Sequence, residues 1–541
     1  MIKKRILALA AAMTLVASLT ACGGNPAASG GSGGAGSKAQ TEESGKAKTD
    51  AGGAQGGLEA GGEEAQEGVD TSEFVTIKVL FIGDQQKDAQ KIYDAVNEKL
   101  KAALNAEIDV EMIPWSDWET RIPLIMSAQE DYDLIPMNST FGYYDYAPDG
   151  VFYEISDEVM QKYMPMTWEK QDHLHFEQNS ISGKCYIVPV NAPSFTFGNA
   201  IALRTDLLEK YNMEMPGTWD DLEKYFDQIK ANEPGMMPMA LSTSENLDDY
   251  LYFEAYGMNR ISGLRDLFAF PYDGDDVKAE DVILVQDDPN YIQTLNKIKS
   301  WADKGYWSKN ANVNTTSMRD AFESGMSGVL IQNLGTSALA SLTINNGGSD
   351  MKADIVNLNM DTNRAYNIPD GGLSVPIWSE NWERALMVLD YLKFDMDIYQ
   401  TLRYGLEGVH WEKEGDDRWS PLDQSGYVFG NGNSWQIKNE FPPYELDRSD
   451  QLDTYVTLLE TWRSKLLPAP NLFKFTFDSS NVATEMANLS NVVSKYKPLL
   501  HCGLVDNVEA TLAEYRKALD TAGLEKVRAE LEAQLKAFLA Q

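Results

Sequence analysis

The chain has 541 residues, and its 82 acidic side chains outnumber its 46 basic ones, which gives a formal net charge of −36 at pH 7. This excess of carboxylates argues against nucleic acid and anionic lipid surfaces as partners. The length is sufficient for two folded domains or more after an N-terminal stretch of unusual composition.

The first predicted element is a leader, MIKKRILALAAAMTLVASLTAC, with a cationic start and an apolar run from Ile6 to Leu19. This is the layout of a secretory signal peptide, which we assign to residues 1–21. The apolar run is shorter than the roughly 20 residues that a membrane span needs. The ending LTAC resembles the lipobox of bacterial lipoproteins, which implies cleavage before Cys22 and acylation of Cys22, for example with palmitate. The alternative is an ordinary secretory signal with an incidental thiol.

Residues 22–72 are the second predicted region, a disordered tether that starts at the acylated cysteine. From Gly23 to Asp70 the segment has no aromatic residue, and only Leu58 and Val69 are sizeable apolar side chains. Such a segment cannot bury enough surface to fold, and about 48 residues of flexible coil have an r.m.s. reach of roughly 35 to 40 Å. We therefore expect a domain tethered by lipid to the extracellular face of the bacterial cell membrane.

The folded part begins with alternating strands and helices. Apolar and β-branched residues predict strands at 74–82, 108–113 and 133–138, and the spacing of apolar residues from Ile92 to Leu104 predicts a helix after the first strand. This alternation predicts a parallel sheet, in which ligands bind beyond the carboxyl ends of the strands. The corresponding loops are residues 83–86, 115–118 and 138–144.

Later motifs resemble those of a known family. The stretches DYDLI at 131–135, GKCYIVP at 183–189, ALRTDLLEKYNMEMPGTWDDLEKYFDQIK at 202–230 and GGLSVPIWSENWERALMVLDYLK at 371–393 are similar to ordered landmarks of extracellular solute-binding proteins of ABC importers. YGLEGVHW and the C-terminal sequence from Asn481 resemble LipO-like lipoproteins with a family-specific C-terminal domain. The resemblance implies an α/β fold of two lobes, periplasmic-binding-protein-like (type II), with crossing hinge strands and a helical C-terminal extension.

The resemblance also implies that the chain passes between the lobes more than once. We assign residues 73–190 and 325–374 to lobe 1, residues 191–324 and 375–480 to lobe 2, and residues 481–541 to the helical C-terminal part. We place the first crossing near residues 187–191, the return to lobe 1 at residues 328–332, and the next crossing near residues 373–376.

The aromatic residues favour a carbohydrate ligand. A sugar site needs flat aromatic platforms, together with Asn, Gln, Asp or Glu to bind the hydroxyls, whereas a peptide site needs placed Arg and Asp side chains. Several aromatic residues in predicted loops stand beside Gly, Pro, Asn or Ser. The candidates are Trp115, Trp118, Tyr143, Tyr144, Trp378, Trp382, Trp411, Trp419 and Trp435.

We therefore predict a monomeric, membrane-tethered solute-binding protein that captures a carbohydrate, an oligosaccharide, by lobe closure and delivers it to the permease subunits of an ABC importer. The alternatives are a cell-surface glycan hydrolase and a peptide-binding or adhesive lipoprotein.

Ligand contacts are expected from the loops at the strand ends, from the crossings and from residues 404–411. In this last loop two glycines flank Glu407, which permits a tight backbone excursion towards the cleft. The alternative is that the loop docks the C-terminal domain. The predicted ligand-binding residues are Asp84, Gln85, Trp115, Asn138, Ser139, Tyr143, Asn191, Asn333, Trp378, Glu407, His410 and Trp411.

No catalytic or cofactor motif is recognisable, and we predict neither an enzyme nor a metal-dependent or cofactor-dependent protein. With 82 acidic residues almost any pair could be nominated as glycosidase carboxylates, so composition carries no information. Residues 172–177 contain two histidines without zinc spacing and are expected to form a solvated polar turn. Cys185 and Cys502 are expected to be separate buried thiols, and a disulfide is the alternative.

Overall fold

The computed structural model describes most of the chain after the leader and the tether. The described residues are 69–115, 117–192, 198–242, 247–264, 267–271, 277–360, 365–366, 371–429, 434–441, 443–467 and 470–540. The predicted signal peptide, Cys22 and residues 22–68 of the predicted tether lie outside this part of the chain. Within the described residues, no helix combines the length and the apolarity needed to cross a membrane.

The helices pack through apolar stripes at helical spacing, as α1 shows by burying Ile92, Val96, Leu100 and Leu104. The helices of the described residues are α1 (Ala89–Leu104), α2 (Trp118–Ala128), α3 (Tyr143–Tyr146), α4 (Asp157–Tyr163), α5 (Pro165–Lys170), α6 (Leu174–Gln178), α7 (Thr205–Tyr211), α8 (Trp219–Asn232), α9 (Pro289–Lys304), α10 (Met318–Glu323), α11 (Leu334–Asn346), α12 (Trp382–Phe394), α13 (Met396–Tyr404), α14 (Asp453–Ser464), α15 (Ala483–His501), α16 (Val508–Ala522) and α17 (Leu524–Leu539). A π-helix spans Asp249–Glu254.

The strands are short apart from β1, β2, β5 and β10. Within the described residues they are β1 (Val75–Ile82), β2 (Ala106–Ile113), β3 (Ile135–Met137), β4 (Val188–Pro189), β5 (Asn199–Arg204), β6 (Met237–Met239), β7 (Met258–Arg260), β8 (Phe268–Pro271), β9 (Ile283–Leu284), β10 (Ser327–Asn333), β11 (Ala353–Val356), β12 (Ala365–Tyr366), β13 (Gly372–Ser374), β14 (Trp411–Glu414), β15 (Arg418–Pro421), β16 (Asp447–Arg448) and β17 (Leu466–Leu467).

Lobe 1 is built around one hydrophobic core. β1 and β2 pair in parallel over their whole length, from Val75 opposite Ala106 to Ile82 opposite Ile113. β3 is attached to β1, because Leu80 N donates to Leu134 O at 2.9 Å, and it pairs with β13, which also pairs with β4. The predicted start of the fold, a strand, a helix and a second parallel strand, is therefore confirmed.

Lobe 2 has a second core and its own four-stranded sheet, in the order β11-β5-β10-β6. The core continues into the C-terminal helices, which bury Val508, Leu512, Leu519 and Leu531 together with lobe 2 residues such as Trp301. The predicted C-terminal extension is therefore helical, as expected, and it packs on lobe 2.

The predicted assignment of two segments to the lobes is wrong. Residues 328–332 were expected to return the chain to lobe 1, but they lie in β10, which is held in the lobe 2 sheet by pairing with β5 on one side and β6 on the other. Residues 375–437 were expected in lobe 2, but they bury Val375, Leu386 and Tyr427 in the lobe 1 core.

These corrections relocate the crossings. The chain returns to lobe 1 between β11 and β13. Residues 373–376, where a crossing was expected, therefore belong to lobe 1, and Tyr153 N donates to Val375 O there. It leaves lobe 1 again after β16, because α14 places Trp462 in the core of lobe 2. The first crossing follows the predicted residues 187–191, since β4 pairs in lobe 1 and β5, which begins at Asn199, pairs in lobe 2.

Two further predictions concern cysteine and histidine. Cys185 and Cys502 are both buried free thiols in different cores, which confirms the expectation of separate thiols. Residues 172–177 do not form a solvated turn, because His175 lies on the short helix α6 and is completely buried. The described residues contain no group of three or more His, Cys, Asp or Glu side chains that could hold a metal ion.

Candidate functional site

Four aromatic side chains gather beyond the carboxyl ends of β1, β2 and β3, and we call them the aromatic platform: Trp115, Trp118, Phe141 and Trp435. Trp115 and Trp435 are stacked, with ring centroids 6.2 Å apart and an interplanar angle of 23°. Phe141 lies 5.9 Å from Trp435 and 4.9 Å from Trp118. Trp115 remains 45% exposed, which leaves a flat apolar surface open to a ligand.

The backbone at the strand ends positions this platform. Trp115 follows β2 by two residues, and Phe141 N donates to Asn138 Oδ1 at 2.7 Å in the loop after β3. Trp435 comes from a distant part of the chain, and its Nε1 donates to Ile82 O, the last carbonyl of β1, at 3.2 Å. Three strand ends and one long-range loop therefore converge on the same edge, where open α/β sheets bind their ligands.

A charged group stands beside the platform. Asp84 lies two residues after the carbonyl that Trp435 binds, and its side chain is exposed. Burial of the carboxyl by surrounding atoms, and the nearby carboxylate of Asp320, raise the pKa of Asp84, while Arg319 opposes this shift. Arg319 and Asp320 belong to α10 on lobe 2, so charged groups of the other lobe act on this carboxyl.

Lobe 2 contributes a polar layer where the crossing segments enter it. Glu254 is completely buried, and its Oε1 accepts hydrogen bonds from Asn199 N at 3.2 Å and Asn199 Nδ2 at 2.8 Å. Its Oε2 accepts a bond from Asn359 Nδ2 at 3.3 Å. Burial raises the pKa of Glu254 well above its usual range, and the hydrogen bonds from Asn199 and Asn359 oppose this shift. The carboxyl joins the start of β5 to the segment that follows β11.

Five of the predicted ligand-binding residues lie at the edges that face the cleft or in exposed loops beside them. Asp84 and Gln85 follow β1, Trp115 follows β2, and Asn138 and Ser139 follow β3. Asn138 has already used its side-chain oxygen to bind Phe141 N, and it lies beside Gly371, where an added Cβ would be 3.2 Å from the Trp435 ring. Their roles in ligand binding remain predictions.

Asn333 and Glu407 are exposed, and nothing in the structure ties either to a ligand. Asn333 ends β10 in lobe 2, and its side chain accepts a bond from Thr336 N at 2.9 Å, so it caps α11. Glu407 lies on an exposed turn of lobe 1. Both remain predictions as well.

Tyr143 was predicted to contact ligand, and this prediction is wrong because its ring is only 1% exposed. Its hydroxyl donates to Asn179 O at 2.8 Å and accepts a bond from Tyr186 N at 3.1 Å. The aromatic ring therefore fills the lobe 1 core, and its polar tip satisfies two backbone groups that would otherwise be buried without partners.

Trp378 lies away from the aromatic platform, and its predicted ligand contact stays a prediction. Its Nε1 donates to Glu130 O at 2.8 Å, just after the C-terminal end of α2. The platform residue Trp118 begins the same helix, so Trp378 lies at the opposite end of α2. It packs partly buried against the lobe 1 core and points to no part of the platform.

Asn191 belongs to what we call the crossing clamp, the polar groups around Pro189 to Asn191 at the start of the first crossing. Asn191 is 3% exposed, and its Nδ2 donates to Asn439 Oδ1 at 2.9 Å, so the predicted ligand contact is wrong. Lys393 Nζ is fully buried and donates to Pro189 O and, at 2.8 Å, to Gln171 Oε1. Burial lowers the pKa of Lys393 to about 7.

The loop at residues 404–411 serves packing. Trp411 is 3% exposed, its Nε1 donates to Gly405 O at 2.9 Å, and it packs with Tyr404, Trp419 and Leu446. His410 is 1% exposed, and its Nδ1 accepts a bond from Leu406 N at 3.0 Å. The predicted ligand contacts of Trp411 and His410 are therefore wrong.

The alternative prediction, that this loop docks the C-terminal domain, is also wrong for Trp411. The partners of Trp411 come from residues 404–446 of lobe 1, and not from the C-terminal helices. The ring belongs to a small core of its own beside β14 and β15.

Trp118 and Trp435 were among the aromatic candidates but not among the predicted ligand-binding residues, and sequence reasoning did not single out Phe141, Arg319 or Asp320. The flanking Asn and Ser of Trp435 and its position in a loop were a usable signal. Arg319 and Asp320 gave none, because only the approach of the two lobes brings them to Asp84.

The fold defines the class of this protein. Two α/β lobes with separate cores are joined by crossing segments, and an open aromatic face lies at the strand ends between them, which is the architecture of a two-lobe solute-binding protein. The family described as bacterial extracellular solute-binding protein matches residues 83–376, and the chain belongs to that family. Residues 471–540 match a domain of unknown function, DUF3502.

The individual relatives have low sequence identity to this chain. The chain is 24% identical over 495 residues to a carbohydrate ABC transporter substrate-binding protein of Streptococcus pneumoniae, a match that covers 88% of this chain and 93% of the relative. It is 23% identical over 351 residues to the polygalacturonan/rhamnogalacturonan-binding protein YtcQ of Bacillus subtilis, which covers 60% of this chain and 65% of the relative.

Among solved structures, the chain resembles the N-glycan transport solute-binding protein NgtS of Streptococcus pneumoniae in complex with Man1GlcNAc. The TM-score is 0.70 with 21% identity, and the match covers 86% of this chain and 100% of the other.

Proposed function

We propose that this protein captures an oligosaccharide between its two lobes outside the bacterial cell and delivers it to an ABC importer. The observation that carries the proposal is the aromatic platform, open at the strand ends of lobe 1. Aromatic faces stack on the C–H faces of sugar rings, and flanking carboxylates and amides bind the hydroxyl rim. The pneumococcal relative is named for carbohydrate transport, which supports the same class of ligand here.

The mechanism is lobe closure. A sugar stacked on Trp115 and Trp435 can reach α10 only when the lobes are close, so it binds the closed state more tightly and shifts the population towards it. The permease then recognises the closed form. The saturated protein should therefore have a smaller radius of gyration in solution scattering than the empty protein. Identical curves with a ligand shown to bind would contradict closure.

A thermal-shift screen of the purified mature protein against sugars and peptides tests the ligand class. A ligand present at 100 times its dissociation constant stabilises the folded state by about 2.7 kcal/mol. Stabilisation by oligosaccharides alone supports the proposal. Stabilisation by peptides contradicts it, and shorter sugars accumulating in the mixture would indicate a hydrolase instead.

The N-terminal leader completes the proposed function. Acylation of Cys22 would hold the protein at the outer face of the membrane, where the tether leaves the lobes free to meet the permease. We expect mass spectrometry of the mature N-terminus to show a lipid on Cys22, and Cys22→Ser to release the protein with unchanged ligand affinity. An unmodified Cys22 would contradict the anchor while leaving the ligand proposal intact.

A further inference from the structure

The π-helix of lobe 2, Asp249–Glu254, is an unusual element, because π-helical turns are rare and are frequent at functional sites. Its side chains from Tyr250 to Glu254 are all buried, and the most exposed of them, Leu251, is only 5% exposed. Five consecutive helical side chains project in all directions, so the element is enclosed on every side. Because a close-packed interior transmits displacement, a shift at one end of the π-helix is passed to the other end.

The C-terminal helices hold the first end of the π-helix. Asp248 is the N-cap residue of the π-helix, and its Oδ2 lies 3.2 Å from Nε2 of His501, the last residue of α15. The same Nε2 lies 3.2 Å from the hydroxyl oxygen of Tyr291, whose ring contacts that of Tyr252 at a centroid distance of 5.1 Å. The side chains of Asp248 and His501 are both almost fully buried, so this contact lies inside lobe 2.

The end of α15 is itself fixed at this position. Trp307 Nε1 donates to the carbonyl oxygen of Cys502, the residue after His501, at 2.9 Å. Gly503 lies so close to α9 that an added Cβ would be 2.8 Å from Ile298 O. His501 is therefore presented to Asp248 by a segment that has little room to move.

The second end of the π-helix holds two crossing segments. Asn199 donates to Glu254 Oε1 through its backbone and its side chain, and it is the first residue of β5, where the first crossing enters lobe 2. Asn359 donates to Glu254 Oε2, and it follows β11, where the chain leaves lobe 2 again. Asn359 Nδ2 also donates to Tyr250 O at 2.8 Å. The π-helix thus binds the lobe 2 ends of both segments.

We infer that the C-terminal helices brace the hinge: they hold the π-helix, and the π-helix holds the lobe 2 ends of the two crossing segments. Residues 471–540 match a domain of unknown function, and the inference gives this domain a role in lobe movement. Asp248 and His501 are positioning residues, because they act on the crossing segments only through the π-helix. The inference goes beyond the proposed function and does not depend on the identity of the ligand.

The brace has a consequence for binding. Two lobes that close rotate about a few residues of the segments between them, which requires the ends of these segments to be held in place. A loosened π-helix would leave Asn199 and Asn359 more mobile in the empty protein, and a ligand would have to order them on binding. Because that ordering costs conformational entropy, the brace favours tight binding.

Hydrogen exchange in the ligand-free mature protein tests the brace. The amide of Asn199 donates to Glu254 Oε1, whereas Ala202 lies in the middle of β5 between β10 and β11 and serves as an internal reference. In His501→Ala, we expect the exchange rate of Asn199 relative to that of Ala202 to rise about 10-fold, since only the end of β5 is released. The ratio removes a general loss of stability, because global unfolding exposes both amides.

Two further variants assign the effect to the contact between α15 and the π-helix. Asp248→Ala should raise the ratio by a similar factor, and the double variant with His501→Ala should raise it no further, because both changes remove one contact. His501→Gln keeps a nitrogen donor near the position of Nε2 and should restore most of the protection.

The matched control is Leu531→Ala in α17. Leu531 is a buried residue of the same core, so its truncation lowers stability by leaving a cavity without removing the contact between Asp248 and His501. In this variant the ratio of the two exchange rates should be unchanged.

An unchanged ratio in His501→Ala or in Asp248→Ala would overturn the inference, and either variant suffices if the other does not fold. An equal rise in Leu531→Ala would also overturn it, because lobe 2 would then have softened in general. No sugar is present in this experiment, so these results leave the proposed function as it stands. Failure of every sugar to bind would overturn the proposed function and leave the brace to be judged by exchange alone.

Discussion

Trp411 and Trp435 invite comparison, because both are lobe 1 residues that the sequence places in predicted loops, yet they end in opposite surroundings. Trp411 is enclosed by Tyr404, Trp419 and Leu446. Trp435 joins an open platform in which its neighbour Trp115 is 45% exposed. The difference teaches that a tryptophan in a loop is a ligand candidate only when the other aromatic residues around it leave a face uncovered.

The indole N–H of each tryptophan donates to a backbone carbonyl, so hydrogen bonding of the indole does not distinguish the two residues. Trp411 binds Gly405 O at 2.9 Å within its own loop, whereas Trp435 binds Ile82 O at the end of β1. The first bond closes a local turn, and the second holds a loop distant in sequence at the carboxyl end of β1. The two rings differ in where they lie: Trp411 in a small enclosed core and Trp435 in the aromatic platform.

The largest expected effect is on the enclosed ring. Trp411→Ala should lower the free energy of unfolding by about 3 to 5 kcal/mol, because a buried aromatic is removed and leaves a cavity. The folded fraction should bind ligand with unchanged affinity. Denaturant melts and calorimetry on the same variant measure both quantities, and a loss of affinity at unchanged stability would reverse the comparison.

A smaller loss is expected at the turn that encloses Trp411. Gly405 has φ +91°, and an added Cβ would lie 2.7 Å from His410 Nδ1, so Gly405→Ala should cost about 2 to 3 kcal/mol. Gly408→Ala is the matched control, because Gly408 has φ +76° but open space around it, and about 1 kcal/mol is expected from the backbone alone. Equal melting temperatures for the two variants would show that His410 does not pack as described.

A substitution in the aromatic platform is expected to change ligand affinity rather than stability. Trp115→Ala should weaken sugar affinity by about 1 to 3 kcal/mol, while the free energy of unfolding changes by less than about 1 kcal/mol because the ring is largely exposed. Leu124→Ala is the control, since Leu124 is a 54% exposed apolar residue of α2. Unchanged affinity in Trp115→Ala would remove the platform from the site.

The smallest effect is expected at Glu407, the exposed member of the enclosed loop. Glu407→Gln should change stability and affinity by less than about 0.5 kcal/mol each, as surface substitutions without partners do. Titration with the same sugar is the measurement. A tenfold loss of affinity would instead support the predicted ligand contact of Glu407.

The sequence predicted local features better than distant ones. The first strands and helix followed from apolar periodicity, and Trp115 followed from its place after β2. The sequence did not predict which lobe contains β10, because an apolar, β-branched strand fits the centre of either sheet. Only the pairing of β10 with β5 and β6 places it in lobe 2. Trp411 and Trp435 could not be separated either, since their covering residues, Trp419 and Phe141, are set by tertiary contacts.

The crossing clamp has a consequence for where the molecule bends. Val190 N donates to Gly371 O and Asn191 N donates to Lys438 O, both at distances below 3 Å, while Lys393 and Gln171 hold the carbonyl of Pro189 from the buried side. The start of the first crossing, Pro189 to Asn191, is therefore fixed to lobe 1 and moves with it. In hydrogen exchange, the amides of Val190 and Asn191 should stay protected to the same degree with and without ligand.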